Sequence, residues 1–351
     1  MSNIRDISLG SKTIGENHPV YIIAEMSANH GQDKDRALEI IHAAEEAGAD
    51  CVKIQTYTPD TMTIDCDNKY FSIEEGLWEG ENLYSLYEEG YTPWEWHDDL
   101  KEEAEKVGID FFSTPYEKTS VDFLEDLGVD FYKVASFGVT HLPFLEYLAQ
   151  KDKPIIMSTG MATLGEIEVA VKTIKETGND KLALLNCSSA YPSIPDNMNL
   201  KNIPHLKETF NVPVGLSDHT LGSVSAVSAV AMGAKIIEKH FCLSRNIETP
   251  DSDFSLEPDE FADMVEKIRA AEKAVGEVSY EISEEEEKSR KFRRSIFAVK
   301  DIAEGEKFTE ENIRIIRPGY GLIPKYYNYV VGKKASQNIE KGTPLDWKYI
   351  G

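Results

Sequence analysis

Short apolar runs rich in β-branched residues recur along the chain at 21–24, 51–55, 110–113, 131–135, 154–157, 182–186, 212–216 and 235–238. They lack the strict alternation of a strand with one wet face, so they read as strands buried on both faces, as in a parallel sheet. Helical patterns separate them, for example at 35–47, 94–107, 120–127, 164–177 and 222–232, and another follows the eighth run at 258–275. Eight strands alternating with helices predict a closed (β/α)8 TIM barrel in preference to an open doubly wound sheet. No GxGxxG follows the first run, which argues against a dinucleotide site.

Two departures from this rhythm carry information. Between Tyr57 and Tyr91 lies an insertion after the second strand, rich in aromatics and acids. Long βα loops shape substrate pockets, so specificity is expected there, although Tyr70, Phe71, Trp78, Tyr84 and Tyr87 could equally just pack the loop. At 281–291 the chain becomes EISEEEEKSRK, a charge run that reads as a solvated linker. The barrel domain is therefore placed at 1–280 and a small β-rich domain, with Gly-containing turns, at 292–351.

Composition narrows the function classes. With 62 acidic against 37 basic residues the formal net charge is −25, which opposes attraction to nucleic acid or anionic membrane. A phosphorylated substrate would need a locally basic pocket. The four cysteines (Cys51, Cys66, Cys187, Cys242) have no CxxC spacing and suggest reduced thiols. No 18-residue apolar run occurs and the first 17 residues are too polar for a signal peptide, so a soluble cytoplasmic protein is expected.

The strand ends supply a consistent polar set: Glu25; Lys53 and Gln55; Ser113 and Thr114; Lys133 and Ser136; Ser158 and Thr159; Asn186 and Ser188; Ser217 and Asp218; Glu238 and Lys239. In a barrel these converge on the C-terminal mouth. Lysines inside apolar strands need anionic partners, either neighbouring acids or a bound phosphate or carboxylate. His219 and His240 follow the last two strands. Each alone could be a hydrogen-bonded structural group, but two neutral imidazoles on adjacent strand ends can chelate a divalent ion and leave positions for water and substrate oxygen. With two protein ligands a Mn²⁺-like ion, or Mg²⁺ or Co²⁺, suits better than structural zinc.

IAEMSANHG at 23–31, KIQTYTPD at 53–60, YTPWEWH at 91–97, STP at 113–115, MSTGMAT at 157–163, GLSDHTLG at 215–222 and EKHF at 238–241 together resemble the sialic acid synthase family. RPGYGL at 317–322 looks like that family's C-terminal antifreeze-like (SAF) domain. The insertion and ASF at 135–137 are most similar to its pseudaminic acid synthases. The resemblance implies a phosphoenolpyruvate-dependent transferase that condenses phosphoenolpyruvate with an N-acylated aldose, giving a nine-carbon 2-keto acid and phosphate. It implies that Lys53, Thr114, Lys133, Ser136, Ser158, Asn186 and Ser217 hold phosphoenolpyruvate, and that His219 and His240 hold the metal. Glu25, Gln55 and Asp251 would face the sugar, with Glu25 and Asp251 as acid–base candidates. Arg317 would reach the barrel mouth of the other subunit in a domain-swapped homodimer.

The chain departs from the family at two places. Where a glutamate usually stands two residues after the fourth-strand serine, this chain has Gly138. The glycine implies an impaired enzyme, a substitute carboxylate such as Glu25 or Asp251, or a turn that needs positive φ. PDSDFS at 250–255 replaces the PDHKAS of neuraminate synthases and favours a different sugar. Neuraminate or legionaminate synthesis, and a noncatalytic sugar-binding barrel, remain the alternatives.

Overall fold

The computed structural model describes residues 4–351, which form two compact units that divide after Gly276. The first opens with an antiparallel hairpin of β1 (Ile7–Leu9) and β2 (Lys12–Ile14). Eight parallel strands then close a barrel: β3 (Tyr21–Glu25), β4 (Cys51–Thr56), β5 (Asp110–Pro115), β6 (Tyr132–Val134), β7 (Ile155–Ser158), β8 (Leu182–Cys187), β9 (Val214–Asp218) and β10 (Ile236–His240). Sequential strands are neighbours, and β10 pairs with β3 to complete the ring. The helices around it are α1 (Lys34–Glu46), α2 (Pro59–Met62), α3 (Leu83–Gly90), α4 (His97–Val107), α5 (Lys118–Leu127), α6 (Leu142–Ala149), α7 (Leu164–Glu176), α8 (Asn202–Phe210), α9 (Val224–Ala231) and α10 (Pro258–Val275). Of these, α2 and α3 belong to the insertion. None of the described helices is long and apolar enough to cross a membrane.

Successive strand residues point to opposite faces, and this splits the core in two. Tyr21, Ile23, Cys51, Phe112, Phe131, Ile156, Ala183, Leu185 and Ile236 fill the barrel interior, where Ile7, Leu9 and Ile14 of the hairpin pack against them as a floor. The alternate positions, such as Ile22, Val52, Leu184, Leu216 and Ile237, meet the helices. Strand β9 begins two residues later than the apolar run suggests. Pro213 has no N–H to give the ladder; its carbonyl accepts from Leu184 N–H (3.0 Å) and regular pairing starts beyond it. The shift carries Ser217 and Asp218 into the strand, and β10 likewise runs on to His240.

The insertion is tied down at both ends. Trp94 Nε1 donates to the Tyr57 carbonyl (3.0 Å), and Gln32 Nε2 donates to the carbonyls of Glu89 (3.1 Å) and Tyr91 (2.6 Å). Two buried imidazoles complete the anchor: His30 Nε2 lies 3.2 Å from Thr92 Oγ1, and His97 bridges the Pro93 carbonyl (3.2 Å) and Thr56 Oγ1 (2.8 Å).

The second unit contains α11 (Glu284–Arg290), an antiparallel pair of β11 (Ser295–Ala298) and β12 (Ile313–Ile316), and α12 (Tyr327–Val330). Ile296, Phe308, Ile313, Val330 and Leu345 are central to its own small core. The charge run of the expected linker is solvated, but it is helical. Ser283 accepts from Glu286 N–H (3.2 Å), glutamates occupy the first turn, and Lys288 and Arg290 occupy the last, the arrangement that a helix dipole favours.

Burial holds both His30 and His97 down at about 4, against an ordinary value of 6.5. Both are therefore neutral when folded, while the unfolded chain takes up protons below pH 6.5. Their contribution is complete above pH 6.5 and is lost as pH falls toward 4, by up to about 3 kcal/mol each. Melting temperature measured from pH 7.5 to 4.5 is expected to fall steeply below pH 6.5, and His97→Gln to flatten that fall. An equally steep fall in His97→Gln would remove His97 from this role.

Candidate active site

The C-terminal mouth of the barrel encloses a cavity of about 340 Å³. Its floor comes from inward-facing strand positions. Lys53 Nζ on β4 lies 2.5 Å from Glu25 Oε2 and 3.5 Å from Glu238 Oε1, and donates to Thr114 Oγ1 (3.2 Å). Lys133 Nζ on β6 donates to Ser158 Oγ (2.7 Å) and lies 3.4 Å from the same Glu238 oxygen. Ser217 Oγ donates to that oxygen as well (3.3 Å), and Gln55 Nε2 donates to Glu25 Oε1 (3.2 Å) and Ser27 Oγ (2.7 Å). Two cations and two carboxylates thus form one buried, formally neutral cluster.

The two carboxylates differ. Burial pushes Glu238 up, but Lys133 and Lys53 together win and hold it below the usual range. Burial also pushes Glu25 up, Lys53 pulls it down, and the charge of Glu238 pushes it up again, leaving it raised. Glu238 is therefore the fixed counter-ion and Glu25 the group poised to carry a proton. The Lys53–Glu25 contact is a charge contact off the hydrogen-bonding direction, and Glu238 Oε2 is buried with no hydrogen-bond partner.

Beside this floor, His219 and His240 face each other with ring centroids 5.4 Å apart. His219 Nδ1–H donates to the Ser188 carbonyl (2.8 Å), which leaves Nε2 outside that bond; burial pushes its pKa down, but the neighbouring Cys187 leaves it raised. Burial and the charge of His219 keep His240 well below its ordinary value and neutral; its Nδ1 is buried without a hydrogen bond, 3.9 Å from Asp251 Oδ2. Among the described residues no group of three or more His, Cys, Asp or Glu side chains forms a closed metal centre. Two adjacent imidazoles and a nearby carboxylate do fit an ion that takes its other ligands from water and substrate. Asp251 Oδ2 accepts from Ala28 N–H (3.2 Å), and burial raises its pKa above the ordinary value.

On the β6 and β7 side the backbone comes close to serine hydroxyls. Gly160 N–H donates to Ser136 Oγ (3.0 Å), and a methyl group at Gly160 would come within 2.3 Å of Ser189 Oγ and 2.8 Å of Ser136 Oγ. A larger residue there would have to displace these hydroxyls. Gly138, by contrast, does not have positive φ, and an added Cβ would meet only Val134 Cγ1 at 3.1 Å. The expectation of a turn that demands glycine there does not hold.

The roof is apolar and comes from the insertion: Met62, Ile73, Trp78, Leu83, Leu86 and Tyr87 line it, with Tyr57 and Tyr116 behind. Of the five aromatics singled out in the sequence, only Trp78 and Tyr87 line the cavity. Tyr70 is exposed, and Tyr84 donates to Asp60 Oδ1 (3.1 Å) outside it. Trp78 Nε1 donates to the Pro250 carbonyl (3.1 Å), beside Asp251, and its ring packs on Tyr191 (5.8 Å). Tyr191 in turn covers His219 at 4.3 Å.

Glu25, Lys53, Gln55, Thr114, Lys133, Ser136, Ser158, Ser217, His219, His240 and Asp251 all line this one cavity. Asn186 does not. On β8, Ala183, Leu185 and Cys187 face inward, so Asn186 faces the helices, where its Nδ2 donates to the Met198 carbonyl (2.8 Å). Cys187 takes the inward place instead. Burial raises its thiol, but His219 and Lys133 bring it down to about 7. Arg317 lies exposed in the second unit. The strand-end set places Glu238 at the mouth without a specific role, and gives none to Cys187 or Tyr191. The two-residue parity of β8 and β10 marks Cys187 and Glu238 as inward; nothing in the sequence marks Tyr191.

Comparison with known proteins places this geometry. The NeuB family model matches residues 40–280 and a SAF domain model matches 293–350. The chain is 48% identical to the pseudaminic acid synthase of Campylobacter jejuni subsp. jejuni serotype O:23/36, covering 93% of this chain and 95% of that one. It is 45% identical to the pseudaminic acid synthase of Helicobacter pylori, covering 93% and 96%. Among solved structures, the N-acetylneuraminic acid synthetase of Leptospira borgpetersenii in complex with citrate superposes with a TM-score of 0.73 at 33% identity, covering 81% of this chain and 95% of that one. With more than half its length matched by the family model and its barrel mouth built as described, this chain belongs to the NeuB family.

Proposed function

We propose that this chain is a pseudaminic acid synthase that condenses phosphoenolpyruvate with 2,4-diacetamido-2,4,6-trideoxy-altrose, giving a nine-carbon 2-keto sugar acid and phosphate. The observation that carries the reading is the two-sided cavity, in which a lysine- and hydroxyl-lined floor faces an apolar roof from the insertion. The floor suits a small, multiply charged anion, and the roof suits the methyl groups of a deoxygenated, twice N-acetylated sugar.

Lys53 and Lys133 neutralise the carboxylate and phosphate of phosphoenolpyruvate, while Ser136, Ser158, Thr114 and Ser217 donate hydrogen bonds to it. Gln55, Glu25 and Asp251 orient the open-chain sugar so that its aldehyde carbon lies against C3 of the enol. The new C–C bond forms there, water adds at C2, and the C–O bond to phosphate breaks. Glu25 delivers the proton that the aldehyde oxygen requires. A divalent ion held by His219 and His240, Mn²⁺ in our reading with Mg²⁺ or Co²⁺ as alternatives, would supply Lewis acidity toward that oxygen. The roof keeps bulk water from the enol.

We further assign the active form as a cytoplasmic homodimer in which the second unit of one subunit completes the barrel mouth of the other. The exposed apolar residues Tyr320 and Ile323 beside Arg317, and Phe137, Met161 and Leu221 on the barrel rim, support this reading. A unit of this size is also marginal alone.

Phosphate release is expected only with phosphoenolpyruvate, the altrose acceptor and a divalent ion together, and it should stop in EDTA or in His219→Ala. Preference for N-acetylmannosamine or the legionaminate precursor as acceptor would reassign the sugar; no turnover with any acceptor would point to a binding protein. Glu25→Gln should lower kcat by about 10²- to 10⁴-fold, the range for one acid–base group. Because the backbone at residue 138 is unstrained, Gly138→Glu should fold normally and recover part of that loss in the Glu25→Gln background. A fully active Glu25→Gln enzyme would show that the proton comes from elsewhere. Heterodimers of Arg317→Ala with Lys53→Ala subunits should regain part of the activity that each homodimer lacks, and absence of complementation in verified heterodimers would rule out the shared site.

A further inference from the structure

The parity of the last two barrel strands sorts their polar residues into two sets. Ser217, His219, Glu238 and His240 line the cavity. Asp218 and Lys239 are one position out of step, share the parity of Leu216 and Ile237, and lie in the layer between barrel and helices. They are register partners on β9 and β10, their side chains are 0% exposed, and Lys239 Nζ donates to Asp218 Oδ2 at 2.8 Å. Well-packed apolar residues would serve the layer at least as well as an ion pair that must be stripped of water. Packing alone therefore gives no reason for the pair.

Its hydrogen bonds give one. Asp218 Oδ1 accepts from Thr220 N–H (2.9 Å) and Thr220 Oγ1 (2.7 Å), and Lys239 Nζ donates to the Thr220 carbonyl. Every polar group of Thr220 is thereby fixed from beneath. Thr220 directly follows His219, whose own carbonyl accepts from Ser193 N–H (2.9 Å) and whose Nδ1 reaches the Ser188 carbonyl. We propose that Asp218 and Lys239 are positioning residues for the two-histidine site, pinning the turn at Thr220 so that His219 keeps its Nδ1 on Ser188 and offers its Nε2 to the cavity. The inference rests on the reading of His219 and His240 as the ion's ligands; neither Asp218 nor Lys239 touches substrate.

The test is the full-length double variant Asp218→Leu with Lys239→Met, which keeps both side-chain outlines and leaves no charge buried without a partner. Its melting temperature should match or exceed that of the wild type. In the metal-free protein, the His219 Nδ1–H resonance, protected from solvent exchange in the wild type, should be lost. Co²⁺ affinity, followed by visible absorption, should fall about 10- to 100-fold, the effect usual for groups that orient a ligand. The kcat should fall with it while the KM for phosphoenolpyruvate stays unchanged. Thr220→Val keeps the ion pair and removes one of the bonds, so it should move the same readouts less, and it serves if the double variant does not fold. Folded variants with the wild-type His219 resonance and wild-type Co²⁺ affinity would overturn the proposal. If the wild type itself takes up no Co²⁺ while the resonance still vanishes in the variant, the ligand reading fails and the positioning role stands.

Discussion

The site depends on the pairing of Lys53 and Lys133 with Glu238 inside a closed barrel. At inward strand positions an ammonium group loses its water, at an effective cost of several kcal/mol per ion, and removing one partner of such a pair typically destabilises by about 3–5 kcal/mol. Glu238 meets both lysines and Ser217 with a single oxygen, so one carboxylate sets the spacing of the cationic floor. The hydroxyls of Thr114 and Ser158 then have only the positions that the lysines leave them. A multiply charged substrate entering this neutral cluster must shift the balance of charge. The raised Glu25 is where that shift can occur: a proton on Glu25 frees Lys53 for the incoming anion.

The roof obeys a different physics. Its contacts are apolar, and its position depends on a few directional anchors: the buried histidines and Gln32 at one end, and Trp78 on the Pro250 carbonyl over the cavity. Floor and roof come from separate parts of the chain, barrel strands and one loop, so recognition of the anion and of the sugar can vary independently. This is the division of labour that a (β/α)8 framework permits.

The barrel was legible because eight apolar runs at regular intervals leave few alternatives, and the converging strand-end polar set located its mouth. What escaped was direction. Asn186 and Cys187 are adjacent at the end of β8, and composition favours the amide as a ligand, yet the pleat turns the thiol inward. Glu238 was visible as a strand end, but its role depends on three partners from β4, β6 and β9 that no linear reading brings together. The two-residue shift of β9 was available in principle from Pro213. The difference between Trp78 and Tyr70 was not, because the folding of the insertion back over the mouth is set by tertiary contacts such as the one to Pro250. The acidic run is solvated, and local capping and charge order make it helical.

The backbone at Gly138 is ordinary, so no conformation there requires glycine. The position adjoins Val134 and lies outside the cavity lining, whereas its neighbours Ser136 and Phe137 belong to that lining. A reaction that must move a proton at the aldehyde oxygen then has three buried carboxylates to draw on. Glu238 is committed to two lysines and held ionised. Asp251 is tied to the Ala28 N–H and faces His240. Glu25 alone combines a raised pKa, a charge contact that a proton can release, and a Gln55 hydrogen bond that holds its second oxygen in place. Its environment suits it to proton transfer.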